Sequence, residues 1–345
     1  MIIFDEIQEC PATLISLKYF CENVRNYAVC AAGSLLGITV HKGSGYSVGK
    51  VNNLDLYPLT FLEFLQATGE GELRALIESA NIEALASFHE KLKNLLKTYY
   101  FVGGMPEVVQ TFVDSANLDE AREVQEDIIL SYERDMSKHL TLKETEFCIA
   151  AYRSIPQHLG HENKKFVFGN IATSARASNY RFAITWLSQA GIALRVSRIS
   201  KPGIPLASYA DEQAFKLFML DVGLLAALSG LDSSSVVDGN KIFTEFKGSL
   251  TEQYVCQQLF ASGMTPFYWS AKNSTGEIDF LVQRAMQVYP IEVKAEENLR
   301  AKSLRAFNSK FENMNCRRFS LSFWRAQDWM CNVPLYAVCA PNFWK

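Results

Sequence analysis

The chain has 345 residues, 48% of them apolar and 21% charged, with 34 Lys and Arg against 37 Asp and Glu. This balance excludes an intrinsically disordered chain, and a net charge of −3 offers no global attraction to nucleic acid. Eight cysteines form no CxxC pair and have no histidine partner at zinc spacing, and neither a signal segment nor an apolar run of membrane-spanning length is present. The cysteines therefore read as small core residues in a reducing compartment, and the expected location is cytoplasmic, with no membrane partner.

Met1-Ile2-Ile3-Phe4 is an apolar strand closed by Asp5 and Glu6. In P-loop ATPases this is the Walker B pattern, in which the aspartate holds Mg²⁺ through water and the glutamate polarises the attacking water. A second apolar strand, Tyr27 to Ala32, places Ser34 where a polar sensor of the γ-phosphate is expected. A Gly-rich phosphate loop is missing before these strands. The nearest match, Gly43 to Val51, has Ser44 for the first glycine and Val51 for the Mg²⁺-binding hydroxyl, and it follows the two acids. Asp5, Glu6 and Ser34 would thus serve ATP only if the P-loop is supplied by a partner chain or a lost N-terminal segment. The first unit, 1–65, is expected to be a partial ATPase core, inactive in ATP hydrolysis on its own.

From Phe61 to about Arg134 apolar residues recur at helical spacing, as in Leu73, Leu76 and Ile77, then Leu92, Leu95 and Leu96. This predicts a helical lid-type region over 66–140, with Arg134 read as a local salt-bridge partner rather than a trans-acting arginine. The segment 141–212 reads as three helices followed by two short strands, Ile192 to Ile199 and Leu206 to Tyr209, the order of a winged helix. If it binds DNA, Asn179 to Ser188 would enter the major groove, Arg181 would face outward, and Arg198 or Lys201 would meet phosphate. Protein contact is the alternative use of such a unit. His158 and His161 stand at i, i+3 without a third ligand nearby.

The last unit, 213–345, is expected to open with an apolar helix, Phe215 to Leu231, carrying Asp221 as a buried cap or salt-bridge partner. Ile278, Phe280 and Val282, then Ile291 and Val293, alternate as in two short strands separated by a polar turn-like run, which makes a hairpin. On this reading Glu277 and Asp279 share one strand face, and Glu292 and Lys294 share one face of the second. Three carboxylates and an amine then converge. Such oxygens suit Mg²⁺ or Mn²⁺, and the lysine is placed to orient or deprotonate a water attacking a phosphodiester. Leu299 to Glu312 reads as an amphipathic helix, and Phe319 to Phe323 and Leu335 to Cys339 as the last strands. Between Val282 and Arg325, nine Lys and Arg stand against four Asp and Glu, a patch that can steer a polyanion or form a solvated helix face.

Asp279, then Glu292-Val293-Lys294, resembles the PD-(D/E)xK nuclease superfamily, with Glu252 in the run Ser249 to Val255 as its preceding helix acid and Ile278 in place of the motif proline. Phe4-Asp5-Glu6, Leu56 to Leu65, Tyr100 to Glu107, Phe215 to Leu225 and the Glu292 region together resemble a prokaryotic family of AAA-type ATPases with a C-terminal domain of unknown function. The resemblance implies a multidomain α/β chain: a partial P-loop domain truncated before Walker A, a helical lid and winged helix, and a restriction-endonuclease-like α/β domain. It implies a DNA-directed role, with catalytic residues Asp279, Glu292, Lys294 and Glu252 and a Mg or Mn ion on Asp279 and Glu292. A Mg-dependent nuclease independent of ATP and a non-catalytic adaptor using the same fold to bind a partner remain alternatives.

Overall fold

Strand runs that are apolar on both faces draw the second half of the chain into one sheet. The computed structural model describes residues 1–33, 49–161, 164–171, 177–233, 241–271, 276–296, 301–312 and 314–344, with backbone alone at 177–179 and 241–245. Eight strands, β3 (Ala193–Ile199), β4 (Ala210–Met219), β5 (Phe267–Ser270), β6 (Glu277–Arg284), β7 (Gln287–Val293), β8 (Cys316–Ser320), β9 (Arg325–Ala326) and β10 (Met330–Pro334), lie in the order β4-β3-β5-β6-β7-β8-β10-β9. The sheet is mixed: β3–β4, β5–β6 and β6–β7 are antiparallel, while β3–β5, β7–β8 and β8–β10 are parallel.

Two N-terminal strands, β1 (Ile2–Phe4) and β2 (Val29–Ala31), make a small parallel pair. Helix α1 (Pro11–Asn23) covers it through Leu14 and Leu17, which bury Ile7. The helical region follows as α2 (Phe61–Ala67), α3 (Gly71–Ser79), α4 (Ile82–Val102), α5 (Pro106–Ser115) and α6 (Leu118–His139). Its start is written in the sequence: Thr60 and Glu63 form a reciprocal capping box, and Thr141 and Glu144 repeat it at α7 (Leu142–Arg153). Then come α8 (Ile155–Gly160), α9 (Ala177–Gln189), α10 (Val222–Leu228), α11 (Lys241–Ala261) and α12 (Lys302–Lys310).

One hydrophobic core joins the helical region to the sheet, running from Phe61 and Tyr99 through Tyr254 to Phe280, Ile291 and Trp344. On the opposite sheet face, α12 lays Leu304 and Phe307 against Trp269, Ile278, Leu281 and Val288. The chain is therefore α/β, with helices on both faces of a mixed sheet. No helix among the described residues is long and apolar enough to cross a membrane.

Several boundaries differ from the sequence reading. The run Phe215 to Leu231 is not one helix: β4 ends at Met219, and α10 starts only after Asp221, which accepts from the amides of Gly223 (2.8 Å) and Leu224 (3.1 Å) as an N-cap. A continuous apolar run carries no period, and here burial on both strand faces decided the outcome. Leu206 to Tyr209 is a 3₁₀ turn and not a strand, and the strand that pairs with β3 is β4. Because β4 spans residue 212 and pairs with β3 from Ala193↔Met219 to Ile199↔Ala210, the expected division at 212/213 falls inside one strand. The β6–β7 turn is not polar but the pair Ala285-Met286, both at positive φ (47° and 62°), and the strands extend through the flanking polar residues to Arg284↔Gln287. The last strands begin at Cys316 and Met330, and Leu335–Ala337 is a 3₁₀ turn.

Candidate acid and lysine cluster

Strict alternation would put Ile278 and Leu281 on opposite faces, yet both pack in the cluster under α12. The register explains this: Trp269 pairs with Ile278 and Phe267 with Leu281, so β6 holds one extra residue between them. Asp279 lies in that bulge, a device that re-aims a side chain. The β6–β7 ladder stops at Phe280↔Ile291, and Asp279 Oδ2 takes over by accepting from the Val293 amide at 2.7 Å.

Around Asp279 the fold gathers residues from four elements. β7 contributes Glu292, 5% exposed, whose Oε1 lies 2.9 Å from the Lys294 ammonium. α11 contributes Glu252, 8% exposed, which is ion-paired to Lys164 and lies 3.7 Å from the Lys216 ammonium. Lys216, from β4, has no exposed surface and also pairs with Glu277 of β6. The hairpin hypothesis thus brings together Asp279, Glu292, Lys294 and Glu252. Sequence reasoning missed Lys216 and Lys164. A lone lysine within Phe215-Lys216-Leu217-Phe218 was the available signal, and it was obscured by reading that run as a helix.

The electrostatics follow from this crowding. Burial, then the charge of Glu252, pushes the Asp279 carboxyl up to about 7, against a partial pull from Lys216. Burial alone would raise Glu252, but Lys164 and then Lys216 hold it below the ordinary carboxylate range. Burial would likewise lower Lys216, and Glu252, Glu277 and Asp279 outweigh it, so the ammonium is held above its usual range. Burial also works to lower Lys294, and it is outweighed by the hydrogen bond to Glu292 and the neighbouring carboxylates, which raise it.

Among the described residues no three His, Cys, Asp or Glu side chains form a group able to hold a metal ion. Mg²⁺ needs less, taking one or two carboxylates plus waters and substrate oxygens. Glu292 Oε2 is buried with no hydrogen-bond partner among the described residues, and Asp279 commits only Oδ2 to the backbone. Glu252 Oε2 is buried without a hydrogen-bond partner in the same way, and a buried carboxylate oxygen of this kind is a donor that a divalent cation takes.

The remaining sequence candidates are not brought to this cluster. Asp5 and Glu6 stand exposed at the end of β1, with Asp5 Oδ1 accepting from the Glu6 amide at 3.0 Å and Glu6 in the left-handed region (φ 45°). Ser34 lies outside the described residues. Arg181 is exposed on α9, Arg198 is committed to Asp211 at 2.6 Å, and the Lys201 ammonium stands 4.7 Å over the Tyr209 ring. His158 is buried with its two ring nitrogens facing the carbonyls of Ser154 (2.8 Å) and Val167 (3.0 Å), which leaves no free nitrogen for a metal. The salt bridges expected around Arg134 go elsewhere, Glu133 to Arg153 and Asp135 to Lys138. Arg317 and Arg318 of the basic stretch are buried, so the solvent-facing part of that patch is smaller than its sequence count. A cavity of about 510 Å³ between Leu206, Phe267, Arg284 and Trp344 includes none of the acid and lysine cluster.

Comparison with known proteins gives three matches along the chain. Residues 1–65 match the AAA domain, residues 93–235 a domain of unknown function (DUF8612), and residues 247–328 a domain of unknown function (DUF4143). No curated protein and no solved structure matches the chain. The N-terminal 65 residues are thus similar to AAA domains, and the acid and lysine cluster draws Glu252, Glu277, Asp279, Glu292 and Lys294 from within the DUF4143 match.

Proposed function

We propose that the C-terminal sheet carries a metal-dependent phosphodiesterase site directed at nucleic acid, with DNA as the first substrate to test. In this reading Asp279 and Glu292 hold Mg²⁺ or Mn²⁺, Lys294 faces the scissile phosphate, and Glu252 closes the cluster from α11. The observation that carries it is the buried Glu292 Oε2, which has no hydrogen-bond partner among the described residues, with the Lys294 ammonium 2.9 Å from the other Glu292 oxygen and Asp279 set in the bulge of the neighbouring strand. A bound divalent cation would supply Lewis acidity at the phosphate.

The rest is derived from the chain's own residues. Lys294 is held above its usual range, so it stays an ammonium at neutral pH. It acts by donating hydrogen bonds and positive charge to the attacking water or a phosphoryl oxygen, and not by removing a proton. Arg181, exposed on α9, and Lys201 are the proposed phosphate contacts, while Arg198 is occupied by Asp211. The proposed activity draws on neither Asp5 nor Glu6, which stand exposed at the end of β1.

A specific observation favours one second reading, a non-catalytic adaptor. Lys164, Lys216 and Lys294 already pair with Glu252, Glu277 and Glu292, so the cluster is largely neutralised from within. Titration of Mn²⁺ into the full chain by calorimetry, alongside Asp279→Ala, separates the two. Specific binding lost in the variant, together with Mn²⁺-dependent DNA cleavage lost in Asp279→Ala and Lys294→Ala, supports the enzyme. Absence of Mn²⁺ binding in the unaltered chain leaves the adaptor.

A further inference from the structure

The cavity of about 510 Å³ occupies a notch in the sheet. β5 begins at Phe267, opposite Leu281, whereas β6 runs on to Arg284 and pairs there with β7 alone. Past Leu281 the β5 side of β6 therefore meets no strand among the described residues. The 3₁₀ turn that starts at Leu206 closes part of the gap, the Leu206 amide donating to Gln283 Oε1 at 3.0 Å. Met264, in the turn after α11, and Trp344, in the C-terminal 3₁₀ segment, line the rest. The volume is that of small-molecule sites, about 300–1,000 Å³.

The walls offer apolar surface and one charge. Leu206, Met264, Phe267 and Trp344 supply the apolar part, and the Trp344 indole N–H is already committed to the Val338 carbonyl at 2.8 Å. Neither Asp, Glu nor Lys stands among the lining residues described, and Arg284 does. Cys339 also lines the cavity, but burial pushes its thiol up to about 12, so it is neutral. The Arg284 guanidinium has no ion pair or hydrogen-bond partner among the described residues.

This combination selects a class of ligand. A planar guanidinium takes a carboxylate through two parallel hydrogen bonds. One cation balances one negative charge, whereas a phosphate monoester carries about −1.5 to −2 at neutral pH. The surplus would face the C-terminal end of α11, which stops at Ala261 beside the lining residues Ser262 to Thr265 and carries the negative pole of the helix. We propose that the cavity binds a small monocarboxylate with an apolar body, its carboxylate on Arg284 and its body against Leu206, Met264, Phe267 and Trp344. The Gln283 side-chain amide, whose oxygen is held by Leu206, keeps its N–H groups as further donors. The site shares no residue with the acid and lysine cluster, so it stands or falls independently of the metal-dependent reading.

Calorimetric titration of the full-length chain with phenylbutyrate, decanoate, the neutral alcohol phenylbutanol and phenyl phosphate is the test. At least one of the two carboxylates is expected to bind at a single site, about tenfold or more tighter than the alcohol or the phosphate. Arg284→Met, at a partly exposed position, removes the charge and keeps the length of the side chain. It is expected to bring the carboxylate down to the affinity of the alcohol and to leave the alcohol unchanged. Ala207→Trp, at an exposed lining position, fills the cavity and is expected to abolish binding of both. Circular dichroism melting verifies folding, and Arg284→Gln takes the place of Arg284→Met if that variant does not fold. The proposal is overturned if neither carboxylate binds at millimolar concentration, or if phenyl phosphate binds as tightly as they do. Carboxylate affinity unchanged in the folded arginine variant, or surviving in Ala207→Trp, overturns it equally.

Discussion

Replacing Asp279 by asparagine removes a carboxyl group whose ordinary value of 3.8 is pushed up to about 7 by burial and then by the charge of Glu252. A shift of this kind means that the folded chain prefers the protonated form. Its contribution to stability is fully present below the unfolded value near pH 4 and is lost as pH rises towards 7, so at pH 8 the ionised carboxylate works against folding. The three-decade difference sets a ceiling of roughly 4 kcal/mol at that pH, and the part of the side chain that still meets solvent brings the expected effect to about 2 kcal/mol. Asparagine keeps an oxygen for the Val293 amide, so the variant imitates the protonated aspartate. Urea denaturation of both proteins from pH 4 to pH 8 measures the difference. Asp279→Asn is expected to be the more stable protein at pH 8 by about 2 kcal/mol and equal to the unaltered chain near pH 4. Addition of millimolar Mn²⁺ at pH 8 should raise the stability of the unaltered chain and not of the variant. A difference that is independent of pH, or a variant less stable at pH 8, refutes this account of the cluster.

Lys294→Gln should lower Mn²⁺-dependent cleavage by about 10²–10³-fold while changing Mn²⁺ affinity little, since it removes a charge aimed at the phosphate and not a ligand; equal losses in calorimetry and in rate would contradict that division. Asp221→Ala should cost on the order of 3–5 kcal/mol in urea denaturation, because it leaves three buried backbone amides and Gln257 without their acceptor. Asp221→Asn should recover little of this, since its amide would face the donors of Gly104 and Gln257, and full recovery would show that one acceptor oxygen suffices. Fluorescence-anisotropy titration with duplex DNA should weaken several-fold in Arg181→Ala and change less in Arg198→Ala, whose guanidinium is held by Asp211; the reverse order would move the contact to the strand pair.

Pattern alone located the cluster's hairpin, because Ile278 to Val282 and Pro290 to Val293 combine apolar content with short length, and the motif residues at their ends carried the chemistry. The helical region was legible for a similar reason: Leu92, Leu95 and Leu96 recur at helical spacing along α4, with Leu92 and Leu96 buried. What remained hidden has two physical causes. β4 is buried on both faces from Ala214 to Met219, so its residues carry neither the alternation of a half-exposed strand nor the period of a helix, and with the strand went Lys216. The bulge in β6 is a matter of register between two strands, and nothing local in Ile278-Asp279-Phe280 announces it. Lys164 belongs to the cluster only through tertiary placement, 88 residues from the glutamate it pairs with.

Three glutamines of α11 are buried and bonded to peptide groups of other elements. Gln253 accepts from the Met219 amide and donates to its carbonyl, Gln257 accepts from the Val222 amide, and Gln258 accepts from the Phe61 amide. These bonds act as a key cut to one depth, fixing both the rotation of α11 about its axis and its position along it. Glu252 sits six residues from Gln258, about 9 Å along the same rod. A displacement of α2 must therefore either carry α11, and with it Glu252, or strand a buried amide at a cost of about 1–3 kcal/mol. The start of the helical region and the acid cluster share a single axle.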